Sequence, residues 1–266
     1  MKQRMITAVI GAIVLLSIVI IGNIVFTIAI AVVASIAMHE LLKMKHINTF
    51  SFMGLVSFLF MWTLLVPTDW VDIELLVHVS KVELFLMMIL LLLALTVITK
   101  NTFTFDEAGF VILSSVYIGY GFHHLILTRN MEENGLTLVF LVLFIIWATD
   151  SGAYFVGRKW GKHKLWPEIS PKKTVEGFIG GIVLAGIVGW LFQILFAVHF
   201  SWYIMVAFII VTSVFGQLGD LVESALKRHY AVKDSGNVLP GHGGILDRFD
   251  SLIFVLPILH FFHFFG

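Results

Sequence analysis

Two acids stand where acids are costly. Asp220 and Glu223 lie within a long apolar run, shortly before that run turns polar at Lys227. At about 1.5 Å per helical residue, Asp220 falls about 10 Å below the level of Lys227. An ionised carboxylate at such a depth in a membrane needs water, a cation or a metal beside it. On a helix, Gly216, Asp220, Glu223, Ser224 and Lys227 share one face by their i, i+3 and i+4 spacing, while Leu218, Val222 and Leu226 form the opposite, apolar face. The polar stripe must therefore face the protein interior or a wet cavity. A structural Asp–Lys pair that fixes helix packing is the plain alternative. Asp247 and Asp250 open the last apolar run. Helix N-termini favour acids, which would account for both without any chemistry. Yet the glycine loop before them returns the chain to the surface where Asp220 lies. Two carboxylates on facing helices, near phosphate, are how Mg²⁺ is commonly held. The expected metal ligands are Asp220 and Asp247, with Glu223 and Asp250 beside them, and a second cation is compatible with this set.

Phosphate is the anion that the surrounding residues suit. In Pro240-Gly241-His242-Gly243-Gly244 the missing side chains let backbone amides approach an oxyanion closely. Lys227, Arg228, Lys233 and Arg248 add donors for phosphate oxygens, although the preference of basic residues for one side of a membrane explains some of them. A second polar loop lies between Gly157 and Glu176, just after Asp150. In it Ser170 and Thr174 are good helix N-cap types, Pro171 suits a first helical position, and a helix start flanked by Lys172 and Lys173 would be an anion site.

From Ser224 the sequence runs through Lys227-Arg228, Lys233-Asp234, Gly236, Leu239-Pro240, His242-Gly243-Gly244 and Asp247-Arg248-Phe249-Asp250. This pattern resembles the signature of phosphatidate cytidylyltransferases (CDP-diacylglycerol synthases), with no departure along its length. Asp150 and Ser170-Pro-Lys-Lys-Thr-Val-Glu176-Gly177 resemble a second motif of that family, so the likeness covers roughly residues 147–252. The resemblance implies transfer of the cytidylyl group of CTP to phosphatidate with release of pyrophosphate, and Mg²⁺ as cofactor. It implies a catalytic set of Asp220, Asp247, Lys227, Arg228, Lys233, His242 and Arg248. It implies substrate contacts at Asp150, Ser170, Lys172, Lys173, Thr174, Glu176, Ser224, Gly243 and Gly244. The expected partners are CTP, phosphatidate and membrane lipid, with no nucleic acid; a homodimer is compatible with the sequence.

The elements that must hold these residues are membrane helices. The chain is 59% hydrophobic and 13% charged over 266 residues, which excludes an ordinary soluble domain. Apolar runs of about 17–25 residues, long enough to cross a bilayer, recur along it. They predict an all-α polytopic membrane protein with nine helices, at 5–22, 24–42, 49–66, 83–99, 108–127, 135–156, 175–197, 201–226 and 246–265. The organisation read from them is helices 1–5 over residues 1–134 and helices 6–9 with the site over 135–266, in one integral unit. Lys2 and Arg4 precede the first run as in a signal peptide, but no small-x-small cleavage site follows, and a helical hairpin is the reading. With the N-terminus in the cytoplasm, only Lys81 and Arg129 of the 17 basic residues fall outside. That places the site on the cytoplasmic side, in a bacterial inner membrane. Without cysteine there are no disulfides or thiolate metal sites.

Other motifs fail on inspection. Gly157-x-x-x-Gly161-Lys162 is one residue short of a phosphate-binding P-loop, and His39-Glu40 has no second histidine four residues on. Ile118-Gly119-Tyr120-Gly121 falls inside a long helix, and the glycines of the helix at 175–197 read as close helix packing. The His-Phe tail, His260 to Phe264, reads as an interfacial aromatic ending. Two alternatives remain compatible with the residues: a related CTP-using enzyme of another lipid, such as a polyprenol kinase or an ether-lipid cytidylyltransferase, and an ion-coupled transporter. A transporter should carry polar groups through both halves of the membrane, whereas here they gather in one.

Overall fold

A computed structural model describes residues 11, 13, 15–67, 70, 80–196, 198, 200–238, 241 and 243–265. Among these the chain is a helical bundle: α1 (Asn23–Met44), α2 (Phe52–Leu65), α3 (Lys81–Ile98), α4 (Phe105–Ser115), a π-helical turn (Val116–Tyr120), α5 (Gly121–Arg129), α6 (Gly135–Trp160), α7 (Val175–Phe196), α8 (Trp202–His229) and α9 (Leu246–Phe261). Among the described residues six helices are long and apolar enough to cross a membrane: α1, α3, the continuous rod from Phe105 to Arg129, α6, α7 and α8. The chain is thus an all-α membrane protein.

Several predicted bounds move for local reasons. The helix expected at 49–66 begins only at Phe52, where the Ser51 side chain accepts from Gly54 N, and it ends at Leu65, leaving it short. The one expected at 108–127 starts earlier, at Phe105, because Thr104 and Glu107 form a capping box. Gly119 and Tyr120 of the Gly-Tyr-Gly sequence fall in its π-helical turn, a widening of the helix that recurs at functional sites, and Gly121 opens α5. The one expected at 246–265 is α9, shorter at its far end. Residues 11, 13 and 15–21 are helical and Gly22 is not; the other positions of the helix expected at 5–22 lie outside the described residues. The N-cap reading of Ser170 and Pro171 is corrected. Both lie in a strand, Ser170–Thr174, which pairs antiparallel with Lys164–Trp166 in a small hairpin between α6 and α7.

The buried core joins α1, α5, α6, α8 and α9, around Phe26, Met38, Phe122, Ile145, Phe208 and Leu256. A smaller cluster under Phe60, Phe85 and Leu92 ties α2, α3 and α4 together. By contrast, the α7 face carrying Ile179, Val183, Ile187 and Ile194 is exposed, as a face toward lipid acyl chains should be. Its opposite face is glycine: a Cβ on Gly181 would stand 2.7 Å from Thr149 O of α6, and one on Gly177 2.7 Å from Ala153 O. Small residues let two helices approach backbone to backbone where hydrophobic burial gives no advantage over lipid. A similar contact sets α8 against α9, where a Cβ on Gly219 would meet Asp250 O at 2.9 Å and Phe254 Cβ at 2.8 Å.

Gly219→Ala should accordingly lower the melting temperature of the detergent-purified protein. Overpacking costs about 1–3 kcal/mol, more than the gain of about 1 kcal/mol from better helix propensity. Gly186→Ala in α7, where a Cβ meets nothing within 4 Å among the described residues, should be neutral or stabilising in the same thermal assay.

Candidate active site

The end of α8 and the start of α9 bring four acids and a lysine together. Asp220 and Glu223 fall on one face of α8, and the α8–α9 contact at Gly219 delivers Asp250 to that face. Oxygens of Asp220, Glu223 and Asp250 lie within 4.8 Å of one another. Glu223 is fully buried, and its Oε1 has no hydrogen-bond partner among the described residues. Its Oε2 accepts from Lys227 Nζ at 2.7 Å, and the same ammonium reaches Asp247 Oδ1 at 2.6 Å. Asp250 Oδ1 accepts from Ser251 N at 2.7 Å, and Ser224 Oγ donates to Asp220 Oδ1 at 3.4 Å. Three clustered carboxylates, one with an unmatched buried oxygen, fit a hard divalent cation, which binds through oxygen.

Asp247 stands apart from this trio, although the sequence pairs it with Asp220. Its Oδ2 accepts from Ser235 N at 2.9 Å, Ser235 Oγ at 2.8 Å and Gly244 N at 2.8 Å. With Lys227 on Oδ1, both oxygens are engaged in holding the loop before α9. Gly243 takes a left-handed backbone, φ +84°, directly over this carboxylate.

A cleft of about 450 Å³ opens beside the trio, between α6, α7, α8 and the hairpin. Asp220 belongs to both. Asp150, Arg158, Lys172, Lys173 and Thr174 line the cleft together with Tyr154, Leu165 and Phe178. Lys173 Nζ pairs with Asp220 Oδ2 at 2.5 Å and donates to Gln217 O at 3.4 Å. Thr174 takes the capping part expected of it, since its Oγ1 accepts from Gly177 N at 3.1 Å. Glu176 turns away from the cleft and ties down the hairpin: it accepts from Lys162 N at 3.0 Å and from His163 Nδ1 at 2.7 Å. Arg228 Nε donates to Ile169 O at 3.3 Å, fastening the hairpin to α8. Ser170 pairs with Trp166 within the hairpin and does not line the cleft. Lys233 and Arg248 are exposed at the same end of the bundle, and His242 lies outside the described residues.

Sequence reading misses three residues here. Gln217 lines the cleft and bridges helices, its Nε2 donating to Phe178 O at 3.4 Å. Tyr117, in the π-helical turn, has a buried hydroxyl without a hydrogen-bond partner among the described residues. Glu40 of α1 reaches the loop before α9. Its signal was available, because an acid within an apolar run needs a partner as much as Asp220 does.

Fold and site together define a helical membrane enzyme with a carboxylate–lysine centre at one end of its bundle. The chain belongs to the cytidylyltransferase family, which it matches over residues 2–265. It is 54% identical over 261 residues to the phosphatidate cytidylyltransferase of Bacillus subtilis, covering 98% of this chain and 97% of that one. It is 44% identical over 263 residues to that of Staphylococcus epidermidis and 44% over 265 residues to that of Staphylococcus aureus, each covering 98% of both chains. Likeness over the full length to enzymes sets the transporter alternative aside.

Lys227→Met tests how much of this arrangement rests on one ammonium. In chelator it leaves Glu223 and Asp247 without their shared cation, and breaking a buried pair costs about 3–5 kcal/mol. A marked fall in melting temperature is expected, partly recovered when Glu223→Gln is added.

Proposed function

We propose that this chain transfers the cytidylyl group of CTP to phosphatidate, yielding CDP-diacylglycerol and pyrophosphate. The observation that carries this reading is the double position of Asp220, which lines a basic-walled cleft and belongs to the carboxylate trio. The relatives that match over their whole length are named for the phosphatidate reaction, which favours it over a polyprenol kinase or an ether-lipid enzyme.

In the proposed reaction an oxygen of the lipid phosphate monoester attacks the α-phosphorus of CTP. A new P–O–P linkage forms, the bond to the β-phosphate breaks, and pyrophosphate departs. A phosphate dianion is already nucleophilic and has no proton to lose, so no serine, cysteine or strong base is needed. The protein has instead to bring two anions together and neutralise the charge gathering on the leaving group. Lys172, Lys173 and Arg158 stand on the cleft wall to receive phosphates, Lys227 is held between Glu223 and Asp247, and Lys233 and Arg248 are exposed. Asp220, Glu223 and Asp250 would hold Mg²⁺, with Asp247 positioning Lys227 beside it. Such an ion supplies charge stabilisation to phosphate oxygens. The lipid tails remain in the bilayer while CTP arrives from the water.

Nine membrane spans with a cytoplasmic N-terminus complete the proposal, which places the cleft on the cytoplasmic side of a bacterial inner membrane. It is supported by the basic residues at the site end of the bundle: Lys43, Arg158, Lys159, Lys227 and Arg228 end their helices there, and loops with such charges translocate poorly.

Purified protein given radiolabelled CTP, phosphatidate and Mg²⁺ should move label into the lipid phase; none in several detergents refutes the activity. Activity should vanish in excess chelator. Asp250→Asn and Asp220→Asn should each lower turnover at saturating CTP and Mg²⁺ by at least about a hundredfold, with the double variant little worse than either. Near-normal turnover in a folded Asp250→Asn enzyme would remove the trio from the reaction. For orientation, a cysteine at Lys162 should be shielded from an impermeant thiol reagent in intact cells and one at Glu133 should react. The opposite pattern inverts the topology.

A further inference from the structure

We infer that Glu40 is a positioning residue for this reaction: from α1 it caps α9 and holds the loop that presents Asp247 and Lys227. The inference rests on the activity proposed above. Glu40 is 1% exposed. Its Oε1 accepts from Ile245 N at 2.9 Å, and its Oε2 accepts from Leu246 N at 2.9 Å and Ser235 Oγ at 3.2 Å.

These contacts answer a need of α9. The first amides of a helix have no partner within it, and the N-cap position here is Ile245, whose side chain can accept nothing. A carboxylate from another helix satisfies those amides and meets the positive end of the helix dipole. The neighbouring loop is shaped around it. A Cβ on Gly236 would stand 2.7 Å from Glu40 Cδ, and one on Gly244 2.6 Å from the same atom. Both glycines leave room for the Glu40 carboxylate, which gives them a packing purpose besides closeness to phosphate.

From Glu40 a chain of contacts leads to the reacting groups. Ser235 Oγ lies between Glu40 and Asp247 and accepts from Asp247 N at 3.3 Å. Asp247 then holds Lys227, and Lys227 holds Glu223. Glu40 does not line the cleft and is not one of the three clustered carboxylates, so its effect must pass through the loop. Its place in α1 also ties the N-terminal helices to the site.

The test compares full-length Glu40→Ala and Glu40→Gln with the parent. Small misplacements of reacting groups cost about a hundredfold, so Glu40→Ala should lower kcat by about that factor. KM for CTP should change little, because Glu40 touches no substrate. Glu40→Gln keeps the shape but turns an NH₂ toward one donor, and should fall between Ala and the parent. Hydrogen exchange gives a readout independent of activity: amides of residues 235–247 should exchange faster in Glu40→Ala, while those of α6 and α7 stay as in the parent. If Glu40→Ala does not fold, Glu40→Gln carries the same two measurements. Parental kcat in a folded Glu40→Ala protein, or exchange that rises equally in every helix, overturns the inference. A parent protein that transfers no label refutes the proposed activity instead, while the exchange comparison still decides whether Glu40 orders the loop.

Discussion

Charge cannot be left alone in a bilayer, and the contact of Lys227 with Glu223 and Asp247 is where this protein meets that constraint. An ammonium placed between two buried carboxylates fixes where α8 can stand relative to α9 and to the loop between them. Such pairs contribute little net stability, because desolvation offsets most of the attraction. Their effect is on choice of arrangement: any packing that separates the partners strands a charge. The Lys173–Asp220 pair acts in the same way between the hairpin and α8. Two lysines from different elements thus define the floor on which phosphates are proposed to react.

The parts of the fold legible in the sequence are those governed by a single local property. Long apolar runs announce α1, α3, α6, α7 and α8, and the glycines of α7 announce the close seam with α6. The hairpin at Lys164–Thr174 was hidden because Ser-Pro reads locally as a helix start. What overrides it is cross-strand pairing with Lys164–Trp166 and the anchoring of Lys162 and His163 by Glu176. The site was legible as a set of residues and less so as an arrangement. Asp247 and Asp250 are alike in sequence, and only the direction each takes from the first turn of α9 sends one to the loop and the other to the trio. Glu40 and Tyr117 lie too far along the chain from the polar loops for spacing to connect them.

The division of the bundle follows from what each face meets. α7 turns glycine toward α6 and branched aliphatic side chains outward, so its two faces obey different rules on one helix. In the contact with α6, glycines bring the two backbones together and small side chains such as Thr149 and Ala153 fill in; on the outer face, the only requirement is to be apolar. The cleft lies at one end of this seam, where Gly177 still permits close approach and Thr174 begins the helix.

The polar stripe of α8 has a consequence for the birth of the protein. Synthesis runs from the N-terminus, so α8 reaches the membrane ahead of the Gly236–Gly244 loop, Asp247 and Asp250. During that interval Asp220, Glu223 and Lys227 lack the partners from α9. Glu223 and Lys227 are spaced i, i+4, so they can neutralise each other within their own helix. Lys173, already synthesised ahead of α7, can do the same for Asp220. Each acid of α8 therefore has a counterion available earlier in its history than the completed site, and the last helix to emerge arrives at a surface that is already close to neutral.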